Sequence, residues 1–185
     1  MGGITVRKAS AEDAAALLAI YTPYVLRTAV SFEYEPPSAE EFLSRMERTA
    51  REGYPFLAAE EDGRIIGYAY AGPFIRRPAY GRCAETTVYI REDRRRRGAG
   101  HALYTALEGI LAEKGILNLY ACVAVSEDAE DPYLTDASVR FHSREGFALA
   151  GRFRSCGYKF GRWYDMVWME KFAGEHLVAP APPEL

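Results

Sequence analysis

The sequence is poor in the residues that build metal centres and disulfide frameworks. It contains only three cysteines and three histidines, and both sets are scattered along the chain. No two cysteines form a CxxC pair, and no two histidines have the helical spacing that presents two ligands to one metal. We therefore expect reduced, mostly buried thiols, as in cytosolic proteins, and no bound metal.

Long apolar runs and an excess of basic charge are also missing. No stretch reaches the roughly 18 apolar residues that a membrane-spanning helix requires. The first ten residues, MGGITVRKAS, contain no apolar core of a signal peptide, so we expect a cytoplasmic protein that does not bind membranes. Lys and Arg total 23 against 26 Asp and Glu, a net charge of −3. Because nucleic-acid-binding domains usually present a broad basic face, nucleic acid is not an expected partner.

What the sequence does contain is enough apolar material for one substantial core. Of its 185 residues, 49% are hydrophobic and 26% are charged, a balance typical of a folded globular domain. Its periodicity predicts elements in the order β-α-α-β-β-β-α-β-α-β-β. We predict one α/β domain over 1–172, with a mixed, mostly antiparallel sheet of seven strands flanked by helices, followed by an irregular Pro-rich tail over 173–185.

Two boundaries in this order depend on backbone-restricting residues. Pro23 lies within the first predicted helix and should end or kink it. The glycine-flanked segment 157–161, GYKFG, is expected to separate the last two strands. Those strands are predicted at about 147–156 and 162–171.

Four adjacent arginines, Arg94–Arg97, stand immediately before a Gly-Ala-Gly-His turn that begins the third predicted helix. A helix N-terminus already carries partial positive charge and unpaired amides, so further cations there repel the helix dipole. The arrangement becomes favourable if an anion binds at the helix start, on amides that the glycines leave unobstructed. The alternatives are a solvated basic turn or a patch for nucleic-acid phosphates.

Four segments, in this order along the chain, carry a family resemblance: AVSFE at 29–33, AETTVYI at 84–90, RRGAGHALY at 96–104 and GYKFGRWYDM at 157–166. With them the chain resembles the GCN5-related N-acetyltransferases, and more closely their phosphinothricin and methionine sulfoximine acetyltransferase branch. The resemblance covers nearly the whole chain. It implies the GNAT fold, in which the fourth and fifth strands splay apart.

The same resemblance implies acetyl-coenzyme A as the donor, with its pyrophosphate at the third helix and its pantetheine arm along the fourth strand. The implied cofactor-binding residues are Val88, Tyr89, Ile90, Arg96, Arg97, Gly98, Ala99, Gly100, His101, Thr135 and Ser138. One departure concerns Thr135, because the similar enzymes usually carry Asn there. A second is the acidic loop 126–132, which is longer than in those enzymes. Its charge either favours a cationic substrate or shapes a dimer contact.

Two residues are candidates for proton transfer. Attack of an amine on a thioester requires a base near the amine and a proton donor near the departing sulfur. Glu85 lies on a strand predicted to be central, where partial burial would raise the pKa of its carboxyl, and the resemblance implies the base role. His142 stands where the similar branch has a histidine that could serve as the acid. The alternatives are an ordinary strand glutamate and a helix histidine satisfied by its neighbours.

The substrate-binding candidates precede or face these two residues. Arg77 and Tyr80 match pocket positions of the similar enzymes, and the guanidinium fork of an arginine suits a carboxylate or phosphinate. Phe32 would cover the pocket and Tyr104 would line it. For both aromatics, plain core packing is the alternative.

Together these features predict an N-acetyltransferase that transfers acetyl directly to a small amino-acid-like amine of the phosphinothricin, methionine sulfoximine or methionine sulfone type. Alternative substrates are a polyamine, an aminoglycoside or a protein N-terminus. A non-catalytic module that binds coenzyme A is a different class of function. Aromatic residues near Trp163 and Trp168, with exposed sheet edges, favour a homodimer.

Overall fold

The computed structural model describes residues 3–178 and Pro183, so part of the predicted tail, 179–182 and 184–185, lies outside the described residues. The elements within it follow the predicted order. The strands are β1 Thr5–Lys8, β2 Phe56–Glu61, β3 Arg64–Pro73, β4 Cys83–Ile90, β5 Asn118–Val125, β6 Ala148–Lys159 and β7 Arg162–Phe172. The α-helices are α1 Ala14–Arg27, α2 Ala39–Arg51, α3 Ala99–Glu113 and α4 Ala137–Arg144. Within the described part of the chain, none of the helices has the length and apolar character needed to span a bilayer.

The strands form one mixed sheet in the order β1-β2-β3-β4-β5-β7-β6. The neighbouring strands are antiparallel except β4 and β5, which are parallel. That parallel pairing joins only Cys83–Glu85 to Asn118–Tyr120, so toward their C-terminal ends the two strands are no longer paired with each other. The predicted α/β fold class and the splay between the fourth and fifth strands are therefore confirmed.

Helices cover the two halves of the sheet unequally. α1 and α2 pack on one face of the β1–β4 half and α3 on the opposite face, while α4 packs on β5. The core under α1 and α2 is rich in aromatic residues, among them Tyr21, Tyr24, Phe42, Phe56 and Tyr68. The core under α3 is mainly aliphatic and includes Leu103, Leu107, Leu111, Leu119 and Met169.

Pro23 does not end α1, which continues to Arg27. A proline inside a helix removes one amide donor and leaves the carbonyl four residues earlier, here that of Ala19, without its usual partner. Ala19 is exposed, so water can satisfy that carbonyl. The hydroxyl of Thr22 donates to the carbonyl of Leu18 at 2.8 Å, and the hydroxyl of Thr28 donates to that of Tyr24 at 2.7 Å. These bonds support the turns on either side.

The predicted separation of the last two strands at 157–161 is too long. β6 continues through Gly157 to Lys159, and the turn consists of Phe160 and Gly161 alone, with φ of 51° and 74°. Two consecutive positive φ angles are the signature of a tight hairpin turn whose twist matches the strands. Phe160 tolerates this conformation while its ring stacks on Tyr133, with 4.2 Å between centroids.

The cysteines are unpaired as expected, but the prediction that they are mostly buried is wrong. Cys83 is half-buried, whereas Cys122 and Cys156 are exposed. The reason is the uneven helical cover: α1 and α2 reach only β1–β4, while Cys122 lies on β5 and Cys156 on the edge strand β6.

Candidate active site

The splay between β4 and β5 opens a cleft through the sheet. Its walls are the unpaired ends of the two strands together with the loop after α1 and the first turns of α4. The lining residues are Val30, Thr86, Thr87, Val88, Tyr89, Cys122, Val123, Ala124, Ser138 and His142. An extended ligand can therefore enter between two strands whose facing backbone groups are not used by the sheet.

The backbone of β4 offers one free position along this cleft. The amide of Arg91 donates to the carbonyl of Ile66 on β3, so the amide and carbonyl of Ile90 point the other way, toward the cleft. The Tyr24 hydroxyl occupies both groups of Ile90, donating to its carbonyl at 2.6 Å and accepting from its amide at 3.3 Å. Val88, two residues earlier, directs its amide and carbonyl in the same direction, and these are open to a ligand.

Glu85 and Thr86 point to opposite faces of the sheet, because neighbouring side chains on a strand alternate. Glu85 lies on the face of α1 and α2 and is half-buried. Burial raises the pKa of its carboxyl above the ordinary value of 4.5. Among the described residues it has no hydrogen-bond or ion-pair partner, so its charge is available to a ligand. The pKa of the buried Tyr70 hydroxyl is raised first by burial and further by the charge of Glu85, which identifies Tyr70 as its neighbour.

On the opposite face, a chain of hydrogen bonds runs from Thr86 to α4. The Thr86 hydroxyl is 3.1 Å from the Tyr104 hydroxyl, which is 2.9 Å from Nε2 of His142. Nδ1 of His142 is 2.8 Å from the Ser138 carbonyl. Tyr104 is fully buried and His142 is only 6% exposed, so this chain forms the floor of the cleft.

The protonation state of His142 follows from its partners. A carbonyl oxygen can only accept, so Nδ1 carries the proton and donates it to Ser138. Burial is the main cause that lowers the pKa of His142 below 6.5, so the imidazole is neutral at pH 7 and its Nε2 has no hydrogen. Nε2 therefore accepts a hydrogen bond from the Tyr104 hydroxyl. In this state His142 is an acceptor, not an acid.

The start of α3 has the properties of an anion site. No side chain caps it, and its first turn contains no acidic residue. Gly98 has a φ of 90°, and a Cβ built there would meet nothing within 4 Å, so the space above the turn is open. Arg96 also has a positive φ, 62°, which is rare for a residue with a side chain and often occurs at functional turns.

The four arginines before α3 have different environments. Arg94 pairs with Glu61 at 3.2 Å, and the Arg95 guanidinium lies 5.0 Å from the centroid of the Tyr24 ring. Arg96 and Arg97 are exposed and have no ion-pair partner among the described residues. The first two arginines therefore anchor the turn, and the last two remain for a bound anion.

Gly100 and His101, in the first turn of α3, lie close to α4 and its C-terminal end. A Cβ on Gly100 would come within 2.8 Å of the Phe141 ring, so glycine is needed there for helix contact. His101 is exposed, and its Nδ1 is 3.0 Å from a carboxylate oxygen of Glu145. Its backbone amide remains part of the first turn of α3.

Arg77 and Tyr80 lie together, but outside the β4–β5 cleft. They line a second groove with Glu52, Tyr54 and neighbouring residues of the β3–β4 loop. The ring of Phe74 connects this groove to the sheet. It stacks on Tyr120, with 4.1 Å between centroids, and lies 6.1 Å from Tyr80. Tyr120 pairs in register with Glu85, so the groove opens toward the face that carries the candidate base.

Three other predicted residues lie away from the open surface of the cleft. Phe32 covers Gly157, where an added Cβ would approach its ring within 2.3 Å, and is 36% exposed. Tyr104 is buried beneath the cleft. Thr135 is exposed, and its hydroxyl accepts from the amide of Ala137 at the start of α4. The cleft-lining residues that sequence reasoning missed are Val30, Thr86, Thr87 and the β5 segment 122–124. Pairing β5 beside β4 could have indicated that segment.

The acidic loop 126–132 contacts the β6–β7 hairpin. Glu127 pairs with Arg152 at 3.0 Å, and Asp128 pairs with Arg162 at 3.0 Å. The buried Asp131 accepts hydrogen bonds from the Tyr133 amide at 2.8 Å and other donors. Two arginines of the hairpin, Arg152 and Arg162, therefore offset part of the charge of the four carboxylates in this loop.

Comparison with known proteins identifies this arrangement. The sequence profile of the acetyltransferase (GNAT) domain matches residues 6–168. The chain therefore belongs to the GNAT family and is an acetyltransferase, which confirms the predicted resemblance.

Its relatives define the branch. The chain is 35% identical to phosphinothricin N-acetyltransferase from Streptomyces viridochromogenes, over 97% of this chain and 91% of that protein. It is 30% identical to the L-methionine sulfoximine/L-methionine sulfone acetyltransferase of Pseudomonas paraeruginosa, over 90% of this chain and 92% of that protein. The crystal structure of a GNAT superfamily phosphinothricin acetyltransferase from Sinorhizobium meliloti in complex with AcCoA superposes with a TM-score of 0.85, at 33% identity, covering 98% of this chain and 94% of that one.

Proposed function

We propose that the protein transfers acetyl from acetyl-coenzyme A to the amino group of a small amino-acid-like substrate, by direct attack and without an acyl-enzyme. The observation that carries this proposal is the cleft between β4 and β5, which lies between Glu85 on one face of the sheet and the Tyr104–His142 pair on the other. A thioester held in such a gap can be reached by an amine on the Glu85 side.

The residues present suit acetyl-coenzyme A. The uncapped start of α3, with open space over Gly98 and two unpaired arginines, Arg96 and Arg97, fits a diphosphate. The free carbonyl of Val88 fits an amide N–H of a pantetheine arm, which would extend along β4, and leaves the Val88 amide for the reacting end of the donor. When bound, this donor supplies an activated acetyl group.

Two groups of this chain then act on the reacting atoms. Glu85, whose pKa is raised by burial, accepts the proton that the ammonium or attacking amine must lose. The Val88 amide, which faces the cleft, donates a hydrogen bond to the developing oxyanion. His142 as the acid stays a prediction, and its neutral state weighs against it.

The substrate class rests on Arg77 and on the relatives. Arg77 has no ion-pair partner among the described residues, and it borders a groove that leads to the Glu85 face, so it suits a carboxylate or phosphinate. The relatives are named for phosphinothricin, methionine sulfoximine and methionine sulfone. Glu127 and Asp128 of the acidic loop already pair with Arg152 and Arg162 of the hairpin. A polyamine or aminoglycoside is therefore the weaker alternative.

The test is a panel of amines assayed with acetyl-coenzyme A. It contains phosphinothricin, methionine sulfoximine, methionine sulfone, a polyamine, an aminoglycoside and a peptide N-terminus. We expect turnover with the first three, and we expect Glu85→Gln to lower kcat about 10²- to 10⁴-fold while coenzyme A affinity is retained. Coenzyme A binding without turnover of any amine would favour the non-catalytic module instead. Failure of coenzyme A to bind would overturn both.

Three further properties belong to the same proposal. The catalytic domain extends over 1–172, the protein acts in the cytoplasm, and it is a homodimer. Support for association comes from the large apolar side chains exposed on β6 and β7, including Leu149, Phe153 and Trp163. Because the register places Leu149 and Phe153 on opposite faces of β6, the exposed edge strand itself is the surface proposed to associate.

A further inference from the structure

Lys159, near the tip of the β6–β7 hairpin, is buried and has no ion-pair partner in the part of the chain that the structure describes. Only 2% of the residue is exposed. Its ammonium group donates to three backbone carbonyls, those of Val25 at 2.8 Å, Thr28 at 2.9 Å and Ser31 at 2.6 Å. An ammonium group has three hydrogens, so every donor is used.

The three carbonyls belong to the end of α1 and the segment after it. The last carbonyls of a helix have no amide partners and carry partial negative charge, which a cation complements. Burial lowers the pKa of Lys159, and the charge of Glu33 opposes this. Each acceptor is more than a hundred residues away in sequence. Lys159 thus connects the β6–β7 hairpin to the end of α1 and the segment that follows it.

The tied segment forms one wall of the cleft. Val30, which lines the cleft, lies between the Lys159 acceptors Thr28 and Ser31. Phe32 follows and rests on the hairpin at Gly157, close enough that any side chain there would displace it. Because loops carry few internal bonds, the position of this wall depends on what holds it.

A second, exposed bond joins the same two segments. The hydroxyl of Tyr34 donates to the carbonyl of Tyr158 at 2.7 Å. Tyr34 is 67% exposed, so its removal should disturb the core little. The hairpin and the segment 28–34 are therefore connected at both ends.

We propose that Lys159 is a positioning residue that fixes the segment 28–34 as the amine-side wall of the cleft, a role that rests on the proposed acetyltransferase reaction. Lys159 touches neither donor nor amine. It acts through Val30 and Phe32, the two neighbours of Ser31, whose carbonyl it binds.

The variant that tests this is Lys159→Met, with Lys171→Met as the matched control. Lys171 also lies on the hairpin strands, and it donates to both oxygens of Glu108 at 2.7 Å, away from the segment 28–34. We expect Lys159→Met to raise the KM for the amine at least tenfold and to change the KM for acetyl-coenzyme A less than twofold. Lys171→Met should leave both constants within twofold of wild type. A loss of melting temperature with both KM values unchanged, or with both raised in parallel, would overturn the proposal.

Hydrogen–deuterium exchange tests the same role without any reaction. Amides of 28–34 should exchange at least tenfold faster in Lys159→Met than in wild type, and should be unchanged in Lys171→Met. Should Lys159→Met fail to fold, Tyr34→Phe takes its place, with about threefold faster exchange in 28–34 and a smaller rise in amine KM. Unchanged exchange in the folded variant would overturn the proposal. If wild type acetylates no amine, the proposed function fails, whereas the exchange result still decides whether Lys159 holds this wall.

Discussion

At the scale of single residues, the two candidate proton-transfer groups occupy environments of opposite character. Glu85 is half-buried, has no partner among the described residues and is made more basic by its surroundings. His142 is deeply buried and satisfied at both nitrogens, by Ser138 and Tyr104. A group whose hydrogen bonds are complete is stable in its present protonation state. The geometry thus favours Glu85 as the group that exchanges a proton during catalysis.

The neutral state of His142 can be measured directly. Because Nδ1 donates to a carbonyl and burial lowers the pKa of the ring, ¹⁵N NMR should detect the Nδ1–H tautomer at pH 7, with titration centred below 6.5. The exposed His176, whose ring is hydrogen-bonded to the Asn118 side chain, gives a second ¹⁵N signal for comparison. An imidazolium signal for His142 at pH 7 would restore the acid assignment.

The base role proposed for Glu85 predicts a specific pH dependence of turnover. A base is active when deprotonated, so kcat should fall as pH decreases through the raised pKa of Glu85, at a midpoint above 4.5. Glu85→Gln should abolish this acid limb as well as lower kcat. Asp165→Asn is not expected to abolish it. The carboxylate of Asp165 accepts a hydrogen bond from the Ser155 amide, which lowers the pKa of Asp165. An unchanged acid limb in Glu85→Gln would exclude Glu85 as the titrating base.

Sequence reasoning identified Glu85 and His142 but not their surroundings. Glu85 was recognised because a carboxylate on an interior strand is unusual. The burial of Tyr104 could not be predicted from its spacing, since a helix position facing the core and one facing a cleft differ only by what the next helix covers. Lys159 gave no signal because its partners are backbone carbonyls, which no side-chain pattern encodes.

At the scale of elements, the two glycines that open α3 serve different purposes. Gly98 adopts a positive φ, which glycine tolerates best. At Gly100 the absence of a side chain leaves room for the ring of Phe141 on α4. Gly100→Ala should therefore lower the free energy of unfolding by about 1–3 kcal/mol through overpacking. Adding Phe141→Leu should recover part of that loss.

The control is Gly98→Ala, whose destabilisation of about 1 kcal/mol arises from backbone strain. Phe141→Leu should not rescue it, because no ring lies near Gly98. Urea unfolding of wild type and of five variants, three single and two double, measures both couplings. Equal rescue of the two alanine variants would contradict this division of roles.

The stability contributed by the ion pair that connects β1 to the start of α1 should be lost at low pH. The Arg7 guanidinium bonds both oxygens of Asp13, at 2.7 Å and 2.8 Å, and lowers the pKa of Asp13 from 3.8 to about 2. A depressed pKa adds stability above the unfolded value of 3.8, and that stability is lost as pH falls through about 2. Asp13→Asn should lower the unfolding free energy by about 1–2 kcal/mol at pH 7, a range reduced for solvent screening of the part-exposed Arg7.

Urea unfolding at pH 7 and pH 2 checks this sign. The difference between wild type and Asp13→Asn should shrink at pH 2, where protonation removes the same charge from wild type. Asp136→Asn, whose partner Arg140 is an exposed neighbour on α4, should differ little from wild type at either pH. A constant difference for Asp13→Asn would show that packing, not charge, accounts for it.

The order of the elements followed from sequence periodicity, and the two wrong boundaries have a common cause. Pro23 and Gly157 were treated as breaks because each disfavours regular structure in isolation. In the fold, tertiary contacts override this preference. Threonine hydroxyls support the helix around Pro23, and the Phe32 ring fills the space over Gly157, which makes glycine a requirement of the strand.

At the scale of the whole molecule, the sheet is divided into a covered and an open half. α1, α2 and α3 pack on β1–β4, whereas β6 forms an edge that exposes Leu149 and Phe153. The splay that creates the cleft lies at the boundary between these halves. The splay was predicted from family resemblance, and the dimer from the sheet edges and the aromatic residues near Trp163 and Trp168. The exposed face of β6 gives a physical reason to expect association, because long edge strands with apolar side chains seek a partner.

The homodimer can be tested by placing a charge on the exposed edge strand β6. If the open half of the sheet is the interface, a charge placed at Phe153, which is 53% exposed, would have to be desolvated on association. Phe153→Glu should therefore convert the dimer to a monomer in sedimentation velocity at micromolar concentration. Leu26→Glu is the matched control, because Leu26 on α1 is also 53% exposed but lies on the covered half. The Leu26→Glu variant should remain a dimer. Monomeric wild type would remove the proposal, and loss of the dimer in Leu26→Glu alone would move the interface to α1.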